Sequence, residues 1–421
     1  MNTPAAEAIV GNATVWTLLV DYLPVFVLSF LVVLFITPLF RQLALASKVI
    51  DLPDDARKVH HRAIPYLGGM AVFMGLLVGI AISYVLVAGE PAAYRPLPVS
   101  IVGGMIAIAF TGLADDVWGW DPRLKIAGQL VAAALLALND IGTRVAAGLL
   151  DYLFGLSVLE FTVPTPVVDI PVNVTEWIGT AIIAIFVLGG CNAANLVDGL
   201  DGLLSGTVAI IAVGLLALSL LMASHLTEGD VAHLTTLLPD GVSGNEGVTL
   251  SGARIVLSLA LLGAVLGFLP HNFNPATIFL GDCGSLLLGY CCVVVILMLG
   301  EQGETHLVLA GLLIFGVPIV DTILAIFRRK VQGLRMSDPD AKHLHHVLKA
   351  WLGGVKRAVL AVYGLELVLA SLGVAVAAMV LLGDLRVLVV YLVFIGVYGS
   401  VVVIGIRMGL VQKRQSLKGA S

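Results

Sequence analysis

The chain has 421 residues, 59% of them hydrophobic and only 12% Asp, Glu, Lys or Arg, and its mean hydropathy is +1.03. Soluble domains carry roughly 25% charged residues, so a water-soluble globule is excluded. A membrane barrel is excluded as well, because barrel strands alternate over about 10 residues while the apolar runs here continue for about 15 to 25. A net charge of −5 gives no reason to expect nucleic acid as a partner. The composition predicts an all-α, polytopic integral membrane helical bundle.

Eleven spans are predicted in chain order: Tyr22 to Phe40, Leu67 to Ala88, Val99 to Ala114, Leu124 to Leu138, Trp177 to Asn195, Leu203 to Ala223, Ile255 to Pro270, Gly284 to Leu299, Leu307 to Phe327, Ala358 to Leu382 and Val387 to Ile406. The fourth and eighth are short, so ten is the competing count. No Lys or Arg precedes Arg41 and no cleavage site follows the first span, which is therefore expected to be retained. Placing the N-terminus outside and the C-terminus in the cytoplasm puts nineteen of the 23 Lys and Arg residues inside and leaves only Arg95, Arg144, Arg254 and Arg386 outside. Val158 to Val174, in an outside connection, reads as a proline-interrupted hairpin or an irregular flap. Cys191, Cys283, Cys291 and Cys292 lie in or beside apolar runs and are expected to be buried free thiols. With no internal repeat, residues 1–421 read as one membrane domain, with a motif-bearing core over about 20–350 and the last two helices plus a short basic tail over 358–421.

Charge inside a lipid-facing helix costs several kcal/mol, so clustered polar residues need a cavity and usually a purpose. Nearly all of them fall on the predicted cytoplasmic face. The first segment, RKVHHRAIPYLGG from Arg57 to Gly69, reads as a topology signal or as an anion site, in which Lys58 and its neighbours supply charge and the Gly68 and Gly69 amides approach phosphate. In GLADDVWGWDPRLK, Asp115 and Asp116 are adjacent; a helix cap explains one, and the pair makes most sense around a cation or a proton. In NAANLVDGLDGLLSG, Asn192, Asn195, Asp198 and Asp201 recur every three residues, and Gly199 and Gly202 predict an unwound helix end presenting them to a water-filled pocket. In FNPATIFLGDCGSLLLGY, Asp282 is either an N-cap or a carboxylate facing the others, and Phe279 is either packing or a ring for a planar base. The last segment, FRRKVQGLRMSDPDAKHLHHVLKAW, carries Arg328, His343, His345 and His346, and Asp321 lies in the span before it.

A zinc site wants His or Cys at closed spacing without surplus carboxylates, whereas the oxygen donors on this face suit Mg²⁺ or Mn²⁺. His beside Arg then reads as phosphate binding. A hard cation, a basic phosphate-binding set, a stacking ring and a position level with lipid headgroups together suit a nucleotide-linked phosphate meeting a membrane lipid. Two phosphates repel, so the catalytic task is to neutralise charge along an in-line displacement.

The motifs RKVHHRAIPYLGG, GLADDVWGWDPRLK, NAANLVDGLDGLLSG, FLGDCGSLLLG, GVPIVDT and HLHH stand in the same order as in the bacterial polyprenyl-phosphate N-acetylhexosamine-1-phosphate transferases, which the chain resembles over about residues 20–350. The resemblance implies a multi-pass enzyme of the bacterial plasma membrane with its active site at the cytoplasmic face. It would transfer a sugar 1-phosphate from a UDP-N-acetylhexosamine to undecaprenyl phosphate, with Mg²⁺ as cofactor, Mn²⁺ as a substitute, and UMP as product. Carried over by position, it implies that Asp115 and Asp116 are the catalytic acid pair and that Asp282 and Asn195 bind the metal. Asp198 and Asp201 would be further catalytic acids facing the nucleotide sugar, with Phe279 near the uracil. Asn192, Lys58, Lys125, Arg328, His343, His345 and His346 would contact phosphate or sugar.

Gly119, where the muramoyl-pentapeptide transferases carry Lys, and HLHH in place of a three-His run resemble the N-acetylglucosamine branch. The muramoyl-pentapeptide enzyme is the near alternative. A cation-coupled transporter is the alternative of another class, although its ligands would sit at the midplane between repeats. A homodimer is compatible with the sequence, and teichoic acid, O-antigen and capsule pathways all remain open to such an enzyme.

Overall fold

The computed structural model describes residues 15–51, 64–87, 97–155, 159–163, 170–225, 249–333 and 343–419. Helix α1 (Val15–Ala46) is followed by the paired short strands β1 (Ile50–Asp51) and β2 (Ile64–Pro65), then by α2 (Gly68–Val87), α3 (Val99–Trp118), α4 (Pro122–Ala137) and α5 (Arg144–Phe154). The antiparallel hairpin of β3 (Glu160–Val163) and β4 (Ile170–Asn173) leads into α6 (Val174–Val197), α7 (Leu203–Ser224), α8 (Ser251–Asn272) and α9 (Gly281–Met298). The chain closes with α10 (Thr305–Ile314), α11 (Gly316–Gln332), α12 (Leu344–Leu352), α13 (Val355–Leu381) and α14 (Val387–Gly419).

Ten of the eleven predicted spans each fall on one helix, the predicted hairpin forms, and the four cysteines are buried free thiols. Among the described residues nine helices are long and apolar enough to cross a membrane, or ten counting one bent pair. Helix α4, at 16 residues with Arg123 and Lys125 in its first turn, falls short of the usual span length. The eleven-residue helix α5 lies in a connection for which no helix was predicted.

One prediction needs correction. Leu307 to Phe327 is not one continuous span: α10 and α11 meet at 82°. Pro318 has no N–H to donate, and its ring would clash with the carbonyl four residues earlier, which belongs to Ile314, the last residue of α10. Phe315 leaves the helical conformation (φ −88°, ψ 40°), and Pro318 then sits harmlessly in the first turn of a new helix.

Helix α9 is the axis of the bundle, with 89% of its apolar window buried against 22% for α1 and 11% for α14, which face outward. Glycines let neighbouring backbones reach it. A methyl group on Gly69 of α2 would fall 2.2 Å from the Gly284 nitrogen, and one on Gly112 of α3 would fall 2.4 Å from the Cys283 Cα. Gly263 and Gly267 of α8 make the same small-xxx-small approach to α1, where added methyl groups would meet the Phe26 and Phe30 carbonyls at 2.5 and 2.4 Å. These close contacts at the start of α9 bring the end of α3 onto Asp282.

Candidate active site

Asp115 and Asp116 occupy the last turn of α3, where Gly119 in the left-handed conformation (φ 61°) ends the helix and its amide donates to the Asp115 carbonyl. Asp121 then caps α4, accepting from the Arg123 amide at 2.8 Å, and one turn later α4 presents Lys125. The Lys125 ammonium donates to Asp115 Oδ2 at 2.7 Å and also to Asp282 Oδ2. All three side chains keep between 18% and 25% of their surface exposed, so the cluster is open to a solute or a headgroup. Asn195, in the last turn of α6, donates its Nδ2 to Asp282 Oδ1 at 2.8 Å and to Ser285 Oγ at 2.9 Å.

Asp116 points elsewhere. Its two carboxylate oxygens accept the Asp282 and Cys283 amides at 2.8 and 3.0 Å, so it caps the N-terminus of α9 from a different helix. Consecutive helical residues are about 100° apart, which explains how adjacent carboxylates serve different partners. Helix α9 begins at Gly281, whose φ of 68° favours glycine and where an added methyl group would fall 2.5 Å from Asp116 Oδ2, leaving no room for a side chain. Of the two readings for Asp282, the facing carboxylate is the observed one, and the cap is Asp116.

The break between α6 and α7 forms as predicted, with Asp198 as the C-cap of α6 and Gly202 (φ 77°) leading into α7. Burial raises the Asp198 carboxyl above its ordinary value, and the like charges of Asp282, Asp116 and Asp201 add to the rise. Asp201 turns toward the loop before α9, accepting from Asn274 Nδ2 at 2.9 Å and the Ala276 amide at 3.0 Å. Asn192 is drawn to α4, donating to Gln129 Oε1 at 3.0 Å and to the Leu188 carbonyl at 2.7 Å. The Phe279 ring lies 6.1 Å from that of Tyr66.

The Gly68 and Gly69 amides are not available to phosphate. They donate to the Phe279 and Leu280 carbonyls at 3.0 and 2.8 Å, and the Phe279 amide returns a bond to the Pro65 carbonyl at 2.8 Å. That ladder ties the start of α2 to the start of α9, so this part of the anion-site expectation is corrected. Lys58, with the rest of the basic run beside it, lies outside the described residues.

The histidine segment is organised by Asp321 on α11. Its carboxylate is 2.9 Å from His343 Nδ1 and accepts the Leu344 amide at 2.8 Å, which fixes the first turn of α12. His345 stacks parallel to His343, with ring centroids 5.7 Å apart, and His346 tilts against it at 4.3 Å. The His345 Nε2 points at the α6–α7 break, only 2.3 Å from where a methyl group on Gly199 would sit, and has no hydrogen-bond partner among the described residues. Arg328, 2% exposed, lies farther along α11. Two groups at the break escaped sequence reasoning. The Tyr363 hydroxyl donates to the Gly202 carbonyl, and Asn272 accepts from Ser205 Oγ and the Gly202 amide at 2.6 and 3.2 Å. An Asn between Pro270 and the FNP motif was the only sequence signal for the latter.

Burial, with the neighbouring His346 adding to it, lowers His345 to about 4. Between an unfolded value near 6.5 and that folded value the unfolded chain binds the extra proton, so this residue's contribution to stability is complete above pH 6.5 and lost as pH falls toward 4. His345→Gln is expected to flatten that limb of the Tm–pH curve in detergent. Parallel curves for variant and wild type from pH 6.5 to 4 would contradict the assignment.

Among the described residues no group of three or more His, Cys, Asp or Glu converges to hold a metal ion. The positive charge between Asp115 and Asp282 is the Lys125 ammonium. The donors around it are hard oxygens, which suit Mg²⁺ or Mn²⁺ and not zinc.

The glycosyl transferase family 4 model matches residues 98–300, which hold the Asp115–Lys125–Asp282 cluster and the α6–α7 break. The probable undecaprenyl-phosphate N-acetylglucosaminyl 1-phosphate transferase of Bacillus subtilis is 31% identical over 340 residues, 80% of each chain. The decaprenyl-phosphate N-acetylglucosaminephosphotransferase of Mycolicibacterium smegmatis is 33% identical over 358 residues, 78% of this chain and 75% of the relative. A phospho-N-acetylmuramoyl-pentapeptide-transferase of Halalkalibacterium halodurans is less similar, at 28% over 340 residues. With its helical bundle, its acidic cluster and relatives of this identity and coverage, the chain belongs to glycosyl transferase family 4.

Proposed function

We propose that the protein transfers N-acetylglucosamine 1-phosphate from UDP-N-acetylglucosamine to undecaprenyl phosphate at the cytoplasmic face of the bacterial plasma membrane. An oxygen of the lipid phosphate bonds to the phosphorus that carries the sugar. The bond from that phosphorus to the bridging oxygen breaks, and UMP leaves with the oxygen and the electron pair. The observation that carries this reading is the Asp115–Lys125–Asp282 arrangement, which gathers charge where a membrane phosphate and a nucleotide can meet.

The lipid phosphate, a monoester with a second pKa near 6, is mostly dianionic at pH 7, so a strong base is not required. Asp115 orients it or takes its residual proton. Lys125, held between two carboxylates, is positioned to offer its charge to an incoming phosphate, a role worth more in a partly dry site than in water. Asp198 and the histidines beside it face the nucleotide sugar across the α6–α7 break, and Asp201 acts by holding the loop that carries Phe279. Asp282, braced by Asn195, would hold Mg²⁺. That cation would supply charge neutralisation at the transferring phosphoryl group. The excess of Lys and Arg in alternate connections supports an N-terminus outside and a C-terminus in the cytoplasm, an orientation that requires an odd number of crossings.

Purified protein in detergent with undecaprenyl phosphate, Mg²⁺ and UDP-N-acetylglucosamine is expected to release UMP. EDTA should stop the release and added Mg²⁺ restore it. Turnover of UDP-muramoyl-pentapeptide alone would replace the proposed donor, and solute movement across liposomes without nucleotide consumption would replace the enzyme.

A further inference from the structure

The bend between α10 and α11 is held from a third helix. Glu366 of α13, fully buried, accepts the Val317 amide through Oε2 at 2.8 Å, while its second oxygen has no partner among the described residues. The bond satisfies one of the amides left open at the start of a helix, a group that is costly to leave bare inside a bundle. The same face of α13 is fitted to the break. A methyl group on Gly316 would fall 2.6 Å from the Leu369 side chain, and one on Gly373 would fall 2.7 Å from the Ala310 carbonyl. Glu366 therefore pins both the angle and the position at which α11 starts.

The two helices that follow the bend, α11 and α12, reach the site. Asp321 on α11 holds His343 and the first turn of α12, and α12 lays His345 against Gly199. At about 1.5 Å per residue Arg328 lies roughly 16 Å from Val317, so a change of about 10° in the bend moves it by about 3 Å. A displacement of about 1 Å at reacting groups can cost about 100-fold in rate.

We propose that Glu366 is a positioning residue for the transfer: it fixes the bend between α10 and α11, and through that bend the placement of Asp321 and the α12 histidines against the α6–α7 break. The device needs one acceptor for the Val317 amide, which a carboxamide supplies as well as a carboxyl group.

The proposal rests on the transferase reading, and the test separates the two. Spin labels at Lys330→Cys on α11 and Lys356→Cys on α13, both exposed while the native thiols are buried, report where the far end of α11 lies against α13, which the bend sets, without any turnover. Glu366→Gln is expected to keep UMP release within about threefold of wild type and to leave the distance unchanged. Glu366→Leu is expected to lower kcat by about 10- to 100-fold and to shift or broaden the distance distribution. Should Glu366→Leu fail to give monodisperse protein, Gly316→Ala probes the same device, with a several-fold loss of kcat and the same direction of shift. Wild-type rate and distance in the folded Leu variant, or in Gly316→Ala, would overturn the proposal. So would a Gln variant as slow as Leu with an unchanged distance. A wild-type protein that released no UMP would retire the transferase reading, while the distances would still decide whether Glu366 sets the bend.

Discussion

Asp282→Asn is expected to lower lipid-dependent UMP release by about 10²- to 10³-fold while leaving the fold intact. The carboxamide has the carboxylate's shape, and its oxygen can still accept from Asn195 Nδ2, so the start of α9 loses no contact that holds it in place. What it loses is the charge that pairs with Lys125, which then belongs to Asp115 alone. Asp115→Asn should fall in the same range, since it removes the other half of the same pair. The double variant should be little slower than either single one, because groups acting as a unit do not contribute additively. Initial rates of UMP formation at saturating donor and lipid, with gel-filtration profiles alongside, check this. A folded Asp282→Asn enzyme that kept a tenth of the wild-type rate would remove Asp282 from the reaction.

Long apolar runs made the helices legible in the sequence, because a chain in hydrocarbon must satisfy its backbone within each segment. The site was legible for a related reason: charge is so costly in such a chain that Asp115, Lys125, Asn195 and Asp282 stand out against their surroundings. The direction in which each side chain points was not legible. Adjacent Asp115 and Asp116 read as a pair around one charge, whereas one faces Lys125 and the other caps a helix. Gly68 and Gly69 suit a phosphate cradle and a tight helix contact equally well, and only the neighbouring Phe279 and Leu280 carbonyls decide for the second. Asn192 shares the spacing of Asn195, yet packs toward Gln129. The break at Phe315 was hidden because proline is tolerated in membrane helices, and the acid that accepts the Val317 amide there, Glu366, lies 49 residues beyond Val317.

Asp116 should separate from Asp115 in experiment, because its contacts tie reactivity to the integrity of α9. Asp116→Ala strips the acceptor from the Asp282 and Cys283 amides, both in the first turn of a helix that is almost wholly buried. Leaving buried amides unpaired costs about 1–3 kcal/mol, and losing a cap costs about 0.5–2 kcal/mol by itself. Asp116→Asn offers one oxygen for two amides and turns an N–H₂ group toward the other, so it recovers only part of the loss. Both variants are expected to unfold at lower temperature and to lose activity, since a loosened first turn displaces Asp282 from Lys125 and Asn195. Asp115→Asn is expected to lose activity at nearly unchanged Tm, because its partner Lys125 is partly exposed and still has Asp282. Paired thermal melts and UMP rates for the three variants give the answer. An Asp116→Ala protein as stable as wild type would show that the two amides find other acceptors, and the capping role would then be withdrawn whatever its activity.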